Sequence, residues 1–445
     1  MTESPTSVDT VLVGGMILTE PGRTGTVPHG MTVISGDRLL EVNVPQDADA
    51  AHGGRIIDCS NCLIMPGLIN GHSHAAMSLL RGLADDLPLH RWLNEFIFPS
   101  ESKHVGPDFV YLGTMISAME MVLNGVTTFA DGYFHMEHAA RAAMDIGIRA
   151  VIAQGILDVP APDAPTPGAW KQRVKEFLAS CPRDSLITPA LFCHSAYLCG
   201  PETLCDAAGL AEEHGTLLFC HVSETSPEVS EVTGRYGLGP VEHLHALDIL
   251  KKSFVAVHAV HLSEREKEVL AESGAGVVHC PESNMKLASG ACDAQDLLGR
   301  GIPLGIGTDS PASNNNLDLF EEMRSASLMA KLITGDPEAL DARTVLRMAC
   351  IDGARVLGME DSIGSLEQGK LADVIVIDLD RPHLTPMYVP ESHLVYAARG
   401  SDVRDVIVNG KLVVDHGRIT TVDEAEFMAR ARTVASEIGR ERREL

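Results

Sequence analysis

Residues 63–74, LIMPGLINGHSH, lead an apolar run (63–69) into His72 and His74. On an extended segment side chains alternate with period two, so both imidazoles lie on one side and can reach one ion. Runs of the same style recur at GVTTFAD (125–131), RAVIAQGIL (149–157), LITPALFC (186–193), TLLFCHV (216–222), FVAVHAV (254–260), AGVVHC (275–280) and IPLGIGTD (302–309). Between them lie amphipathic stretches such as VYLGTMISAMEMVLN, PETLCDAAGLAEEHG and SEREKEVLAESG, each closed by a Gly or Asn helix stop. Eight strands alternating with helices predict an α/β fold, a (β/α)8 TIM barrel. A doubly wound sheet would need a glycine-rich phosphate loop after its first strand, and none follows 63–69.

Outside this middle the pattern changes. TVLVGGMIL (10–18), the run at Met31–Ile34 and RIIDCS from Arg55 read as short strands, and LADVIVIDL (371–379) and RDVIVNGKLVVDHGRI (404–419) repeat the style. Neither flank has enough strands for its own core, so pairing them buries the most apolar surface. The expected organisation is a composite β-sandwich domain from 1–62 and 364–420, a barrel over 63–363 and a C-terminal helix over 421–445. The Pro-rich segment DVPAPDAPTPGAW (158–170) reads as a loop over the barrel mouth or a surface excursion.

The chain of 445 residues carries 35 Lys and Arg against 61 Asp and Glu, a formal charge of −26. Such a surface repels phosphates, which excludes nucleic acid as a partner and disfavours anionic membranes. Hydrophobic residues at 45% and charged residues at 22% suit a folded domain with a sizeable core. The start lacks a basic, apolar signal segment and no apolar run approaches the ~18 residues of a membrane helix, so a cytoplasmic protein is expected. Ten scattered Cys are read as reduced; Cys59 and Cys62 form a lone CxxC with no second pair to complete a zinc site. A closed homo-oligomer, a dimer or tetramer, is the base-rate expectation.

In a barrel the strand C-termini converge on one mouth. His72 and His74 follow the first strand, His221 ends the fifth, His258 the sixth and Asp309 the eighth. His72, His74, His221 and Asp309 are the expected ligands of one divalent metal ion; Zn²⁺ suits mixed His and carboxylate ligation, and Fe²⁺, Mn²⁺ or Co²⁺ would accept the same set. Glu224, three residues beyond His221, is placed beside the ion as a proton shuttle. His258 could polarise or orient a metal-activated water, while His261 falls beyond its strand end and suits that role less.

The segments PGLINGHSHAAMSLLRGLADDLPLHRWL, HVSET, VHAVHL, HCPESNMKLASG and GTDSPASNNNLDLFEEMRSASL resemble the amidohydrolase superfamily, and within it the 5′-methylthioadenosine/S-adenosylhomocysteine deaminases. The resemblance covers nearly the whole chain, HSHAAMSLLRG and TDSPASNN being its most specific parts. It implies hydrolytic release of ammonia from carbon 6 of an adenine nucleoside, with the same four ligands. It further implies that Asp309 takes the proton of the attacking water, Glu224 protonates the purine ring nitrogen, and His258 helps hold the hydroxide. Glu101 would bind the ribose hydroxyls and His194 would contact substrate. Relatives that take S-adenosylhomocysteine carry Arg at the end of the third strand and in the loop after it. Here Gln154 stands at the first position and the 158–170 loop offers no Arg. Without those bidentate cations 5′-methylthioadenosine, adenosine or 5′-deoxyadenosine is favoured, with Gln154 at the substrate's side.

Two other readings compete. One keeps barrel and metal but hydrolyses s-triazines or another N-heterocycle; its enzymes generally read HQH where this chain reads HSH. The other is a metal-free barrel acting as a scaffold, which would have lost ligands that are all present here. A zinc nucleobase editor is excluded because no PCxxC occurs.

Overall fold

A computed structural model describes residues 8–22, 26–45, 54–182 and 184–442; residues 1–7 and 443–445, at the ends of the expected β domain and C-terminal helix, lie outside the described residues. Eight parallel strands follow one another in chain order around the inner sheet: Leu68–Ser73, Val126–Tyr133, Arg149–Ile156, Ile187–Ser195, Leu218–Val222, Phe254–His258, Gly276–His279 and Leu304–Ile306. Most are buried along their whole length, as a parallel sheet covered on both faces requires. The last strand returns to the first through a pair of side-chain bonds, Asn70 Nδ2 donating to Thr308 Oγ1 (2.8 Å) and Thr308 N donating to Asn70 Oδ1 (3.1 Å). One residue further on, Asp309 N donates to the His72 carbonyl at 3.0 Å.

Helices cover the barrel, including Pro107–Leu123, Met136–Ile146, Pro201–His214 and Glu264–Ser273. The last starts on a capping box between Ser263 and Glu266 and ends at Gly274, whose φ of 74° a side chain would resist. No described helix is long and apolar enough to cross a membrane.

The second sheet is mixed and joins both ends of the chain. Its order runs Arg418–Ile419, Lys411–Asp415, Val403–Val408, Val374–Asp378, Cys62–Pro66, Thr10–Leu18, Thr26–Ser35 and Arg38–Pro45, with Arg55–Asp58 also paired to Thr10–Leu18. Arg38–Pro45 is absent from the sequence reading because charge and Asn interrupt its apolar pattern. The C-terminal helix spans Glu424–Arg442.

One expected strand is divided. The run 63–69 does not belong to the barrel as a unit: Cys62–Pro66 pairs antiparallel with Val374–Asp378 in the mixed sheet, and the barrel begins at Leu68. Gly67 makes the crossing between sheets. A Cβ there would overlap the Thr127 side chain, so only glycine lets the chain pass this close to the second barrel strand.

Arg149, opening the third barrel strand, clamps the two sheets together. Its Nε and Nη2 donate to both oxygens of Asp373 (2.8 and 3.0 Å), and Asp373 Oδ1 also accepts from Asn409 N (2.7 Å). Both side chains are almost fully buried. Removing one partner strands a buried charge, so Arg149→Met is expected to cost about 3–5 kcal/mol in denaturant unfolding; a loss below about 1 kcal/mol, the range of an exposed pair, would contradict the clamp.

Candidate metal centre and cavity

At the C-terminal end of the barrel the backbone fixes the two leading histidines before their side chains act. Ser73, pointing opposite to them, donates through Oγ to the Ala130 carbonyl (2.9 Å) and to Asp131 Oδ1 (3.3 Å). Ala75 N donates to the same Asp131 oxygen at 2.7 Å. Asp131 thus pins both sides of the HSH segment, and burial pushes its carboxyl up to about 7 against the pull of those bonds.

His72, His74, His221 and Asp309 form one cluster, their candidate ligand atoms all within 4.8 Å of one another. His221 Nε2 lies 3.3 Å from His72 Nε2 and 3.3 Å from His74 Nε2, while Asp309 Oδ1 lies 3.5 and 3.4 Å from the same two atoms. Bonds of about 2.0–2.1 Å set tetrahedrally placed ligand atoms about 3.3–3.4 Å apart, and these four separations match that spacing around a single ion. His74 Nδ1 donates to the Gly132 carbonyl (2.5 Å), which leaves Nε2 bare for metal.

Burial lowers His72 to about 4 and draws His74 and His221 below the ordinary imidazole value, so all three are neutral, the ligating form. Burial alone would raise Asp309, but the His72 bond and the neighbouring histidines outweigh it and hold the carboxylate ionised. Asp309 Oδ2 accepts from Ser283 Oγ (2.6 Å) and Ser313 Oγ (2.9 Å). Its backbone sits at φ 60°, and His258 at φ 76°; both are left-handed conformations that cost energy in a residue with a side chain.

Glu224 is buried beside the cluster without being part of it. Its Oε2 faces His258 Nε2 at 3.8 Å, and its Oε1 accepts from Ser289 Oγ at 3.3 Å. Burial raises its pKa, favouring the protonated acid. His258 Nδ1 bonds Asn284 Oδ1 at 2.9 Å, which turns Nε2 toward the cavity.

A cavity opens above the cluster. Trp92, Leu93, Phe98, Phe134, Leu157 and Phe192 supply apolar walls, and the same cavity meets His74, His221, Glu224, His258 and Asp309. Glu101 reaches it from the helix Phe98–His104, its Oε1 accepting from Tyr133 OH (2.7 Å) and its carboxyl raised to about 7 by burial. His194 lines it as well, its ring 5.0 Å from that of His221.

Gln154 does not. It is fully buried, and its Nε2 donates to Asp163 Oδ2 (3.0 Å), which also accepts from His135 N and Arg173 Nε. Strand alternation turns the next residue, Gly155, to the cavity instead, so Gln154 anchors the Pro-rich loop rather than facing substrate. That loop flanks the mouth: Val159, Pro160 and Pro162 line an adjoining cleft with Phe98 and Glu101. His261 bonds the Ser289 carbonyl (2.6 Å) and does not line the cavity.

Sequence reasoning missed Asp131 and Glu228. Asp131 ends the run GVTTFAD (125–131) read as the second strand, and the strand-end test that selects His221 and Asp309 would have found it. Glu228 Oε1 and Oε2 accept from Ser223 N (2.9 Å) and Glu224 N (2.7 Å), a role that leaves no trace in sequence pattern.

A closed parallel barrel with a three-histidine, one-aspartate centre at its mouth defines a metal-dependent barrel enzyme. The amidohydrolase family model matches residues 63–413, and the chain belongs to that family. It is 44% identical over 431 residues, 97% of this chain and 98% of the relative, to the 5-methylthioadenosine/S-adenosylhomocysteine deaminase of Syntrophobacter fumaroxidans. It is 42% identical to the 5′-deoxyadenosine deaminase of Methanothermobacter thermautotrophicus, over 93% of this chain and 96% of the relative. Among solved structures, an adenosine deaminase from Xanthomonas campestris with bound zinc superposes with a TM-score of 0.94 at 36% identity, covering 98% of this chain and 99% of that one.

Because Asp131 holds the HSH segment from behind, Asp131→Asn is expected to weaken metal binding by about 10–100-fold, measured by competition with a chromophoric chelator. An unchanged affinity would mean that the segment is fixed without it.

Proposed function

We propose that this protein is a zinc-dependent deaminase of small adenine nucleosides. The observation that carries the reading is Glu224: one buried carboxyl with a raised pKa, outside the ligand cluster, on the wall of the cavity the cluster opens into. The relatives named above support the adenine nucleoside as the substrate class. His72, His74, His221 and Asp309 would hold the ion, which when bound lowers the pKa of a water toward ~7 and so supplies a nucleophile at neutral pH.

The protein's own groups handle the protons. Glu224 delivers one to the ring nitrogen beside carbon 6, making that carbon electrophilic. Asp309 accepts the proton released as water adds, then passes it to the departing amino group, which leaves as ammonia. The remaining hydroxyl proton returns to Glu224, and the product carries a carbonyl at carbon 6 with the ring nitrogen protonated. His258, its Nδ1 committed to Asn284, presents Nε2 to the adding oxygen. Glu101 and His194 bind the nucleoside, Glu101 accepting from ribose hydroxyls.

Substrate choice follows from the walls. Among the described residues that line the cavity there is no lysine or arginine, so a carboxylate on the 5′ substituent meets no counter-charge there. Loss of adenine absorbance is expected with 5′-methylthioadenosine, adenosine or 5′-deoxyadenosine, and slower loss with S-adenosylhomocysteine. Equal or better efficiency on S-adenosylhomocysteine would overturn the specificity, and turnover of s-triazines alone would replace the nucleoside reading.

Glu224→Gln is expected to lower kcat by about 10²–10⁴-fold while one ion per chain remains bound. Since the protonated form of Glu224 is the working one, kcat in the parent enzyme falls as pH rises through the raised pKa. An alkaline limb that persists unchanged in Glu224→Gln would assign it to another group.

A further inference from the structure

The acid Glu224 sits on an unusual piece of backbone. Ser223, immediately before it, has φ 53°, a conformation that a serine does not adopt without support. Support comes from two directions. The Ser223 carbonyl accepts from Val260 N (3.1 Å) and His261 N (2.8 Å), on the turn that follows His258. Its N–H and that of Glu224 are gripped by the two oxygens of Glu228, at 2.9 and 2.7 Å. Glu228 is itself 5% exposed, and spending a buried carboxylate on two main-chain donors is costly unless their position matters. On the far side, Ser289 is held through its carbonyl by His261 Nε2, and its hydroxyl donates a hydrogen bond to Glu224 Oε1. That bond occupies Oε1 and leaves Oε2, the oxygen facing His258, free to carry a proton.

We propose that Glu228 and Ser289 are positioning residues for the proton transfer: Glu228 fixes the peptide from which Glu224 projects, and Ser289 fills Oε1 so that the transferable proton resides on Oε2. This deepens the deaminase reading and rests on it for its kinetic consequences, but the hydrogen bond from Ser289 has a signature of its own. Neither residue donates a proton to substrate; both act through Glu224. The segments HVSET, VHAVHL and HCPESNMKLASG thereby converge on the setting of one carboxyl.

The test compares Ser289→Ala, Ser289→Thr and Glu228→Gln, each checked for one bound ion, alone and combined with Glu224→Gln. With the best adenine nucleoside as probe, Ser289→Ala and Glu228→Gln are expected to lower kcat by about 10²-fold, with KM changed less than about twofold, and Ser289→Thr to restore most of the loss. In the Glu224→Gln background both losses should vanish, because the group they position is gone. Losses that persist there, or that fall on KM, would overturn the proposal. Infrared difference spectra supply the arm that needs no turnover: the protonated carbonyl stretch of Glu224, identified by its disappearance in Glu224→Gln, should shift upward in Ser289→Ala and return in Ser289→Thr. A stretch that stays in place would overturn the proposal even if no adenine nucleoside were a substrate, whereas a shift in a protein inactive on nucleosides would sustain it and sink only the deaminase reading.

Discussion

The hydrogen bond from Asp309 N to the His72 carbonyl is where fold and chemistry meet. It lies just past the last barrel strand and at the end of the first, so forming it closes the ring and sets the aspartate beside the HSH pair in one event. His221 then arrives from the opposite arc of the same ring, 149 residues along the chain from His72. Bringing such distant groups within ligand distance carries a large entropic cost, and the barrel meets it with the burial of its parallel strands rather than with the metal. The asparagine–threonine pair between Asn70 and Thr308, fully buried one residue below, ensures that the closure occurs in one register.

Burial drives the charges at the mouth apart. Asp309 is surrounded by imidazoles and two serine hydroxyls and stays ionised, while Glu224, in the same cavity and facing His258, is raised. Under the proposed mechanism these two carboxyls of one cavity would take opposite duties, one accepting a proton and one giving it. The strongly negative surface of the chain has little bearing on this, because the cavity is walled by aromatic and aliphatic side chains and its substrate class is uncharged at the base.

What the sequence revealed followed from periodicity, and what it hid followed from orientation. The HSH pair, His221, His258 and Asp309 were legible because strand ends in a barrel point to one place, whatever lies between them. The division at Gly67 was not, since LIMPGLI is continuous in hydropathy and only the contact with Thr127 exposes the change of sheet. Gln154 stands where the resembling family carries Arg, yet a shift of one residue along a strand reverses the face, and Gly155 takes the cavity side. Arg38–Pro45 escaped because an edge strand need not be apolar. Asp131 and Glu228 act on backbone N–H groups, and such partners are set by tertiary approach alone.

The central claim is that one ion, held by three imidazoles and one carboxylate from three parts of the ring, organises the site. X-ray absorption at the metal edge of the zinc-reconstituted protein tests it most directly. A single shell of nitrogen and oxygen at about 2.0–2.2 Å is expected, with the outer scattering of three histidine rings. Sulfur at about 2.3 Å, or a second metal at about 3.5–4 Å, would contradict it.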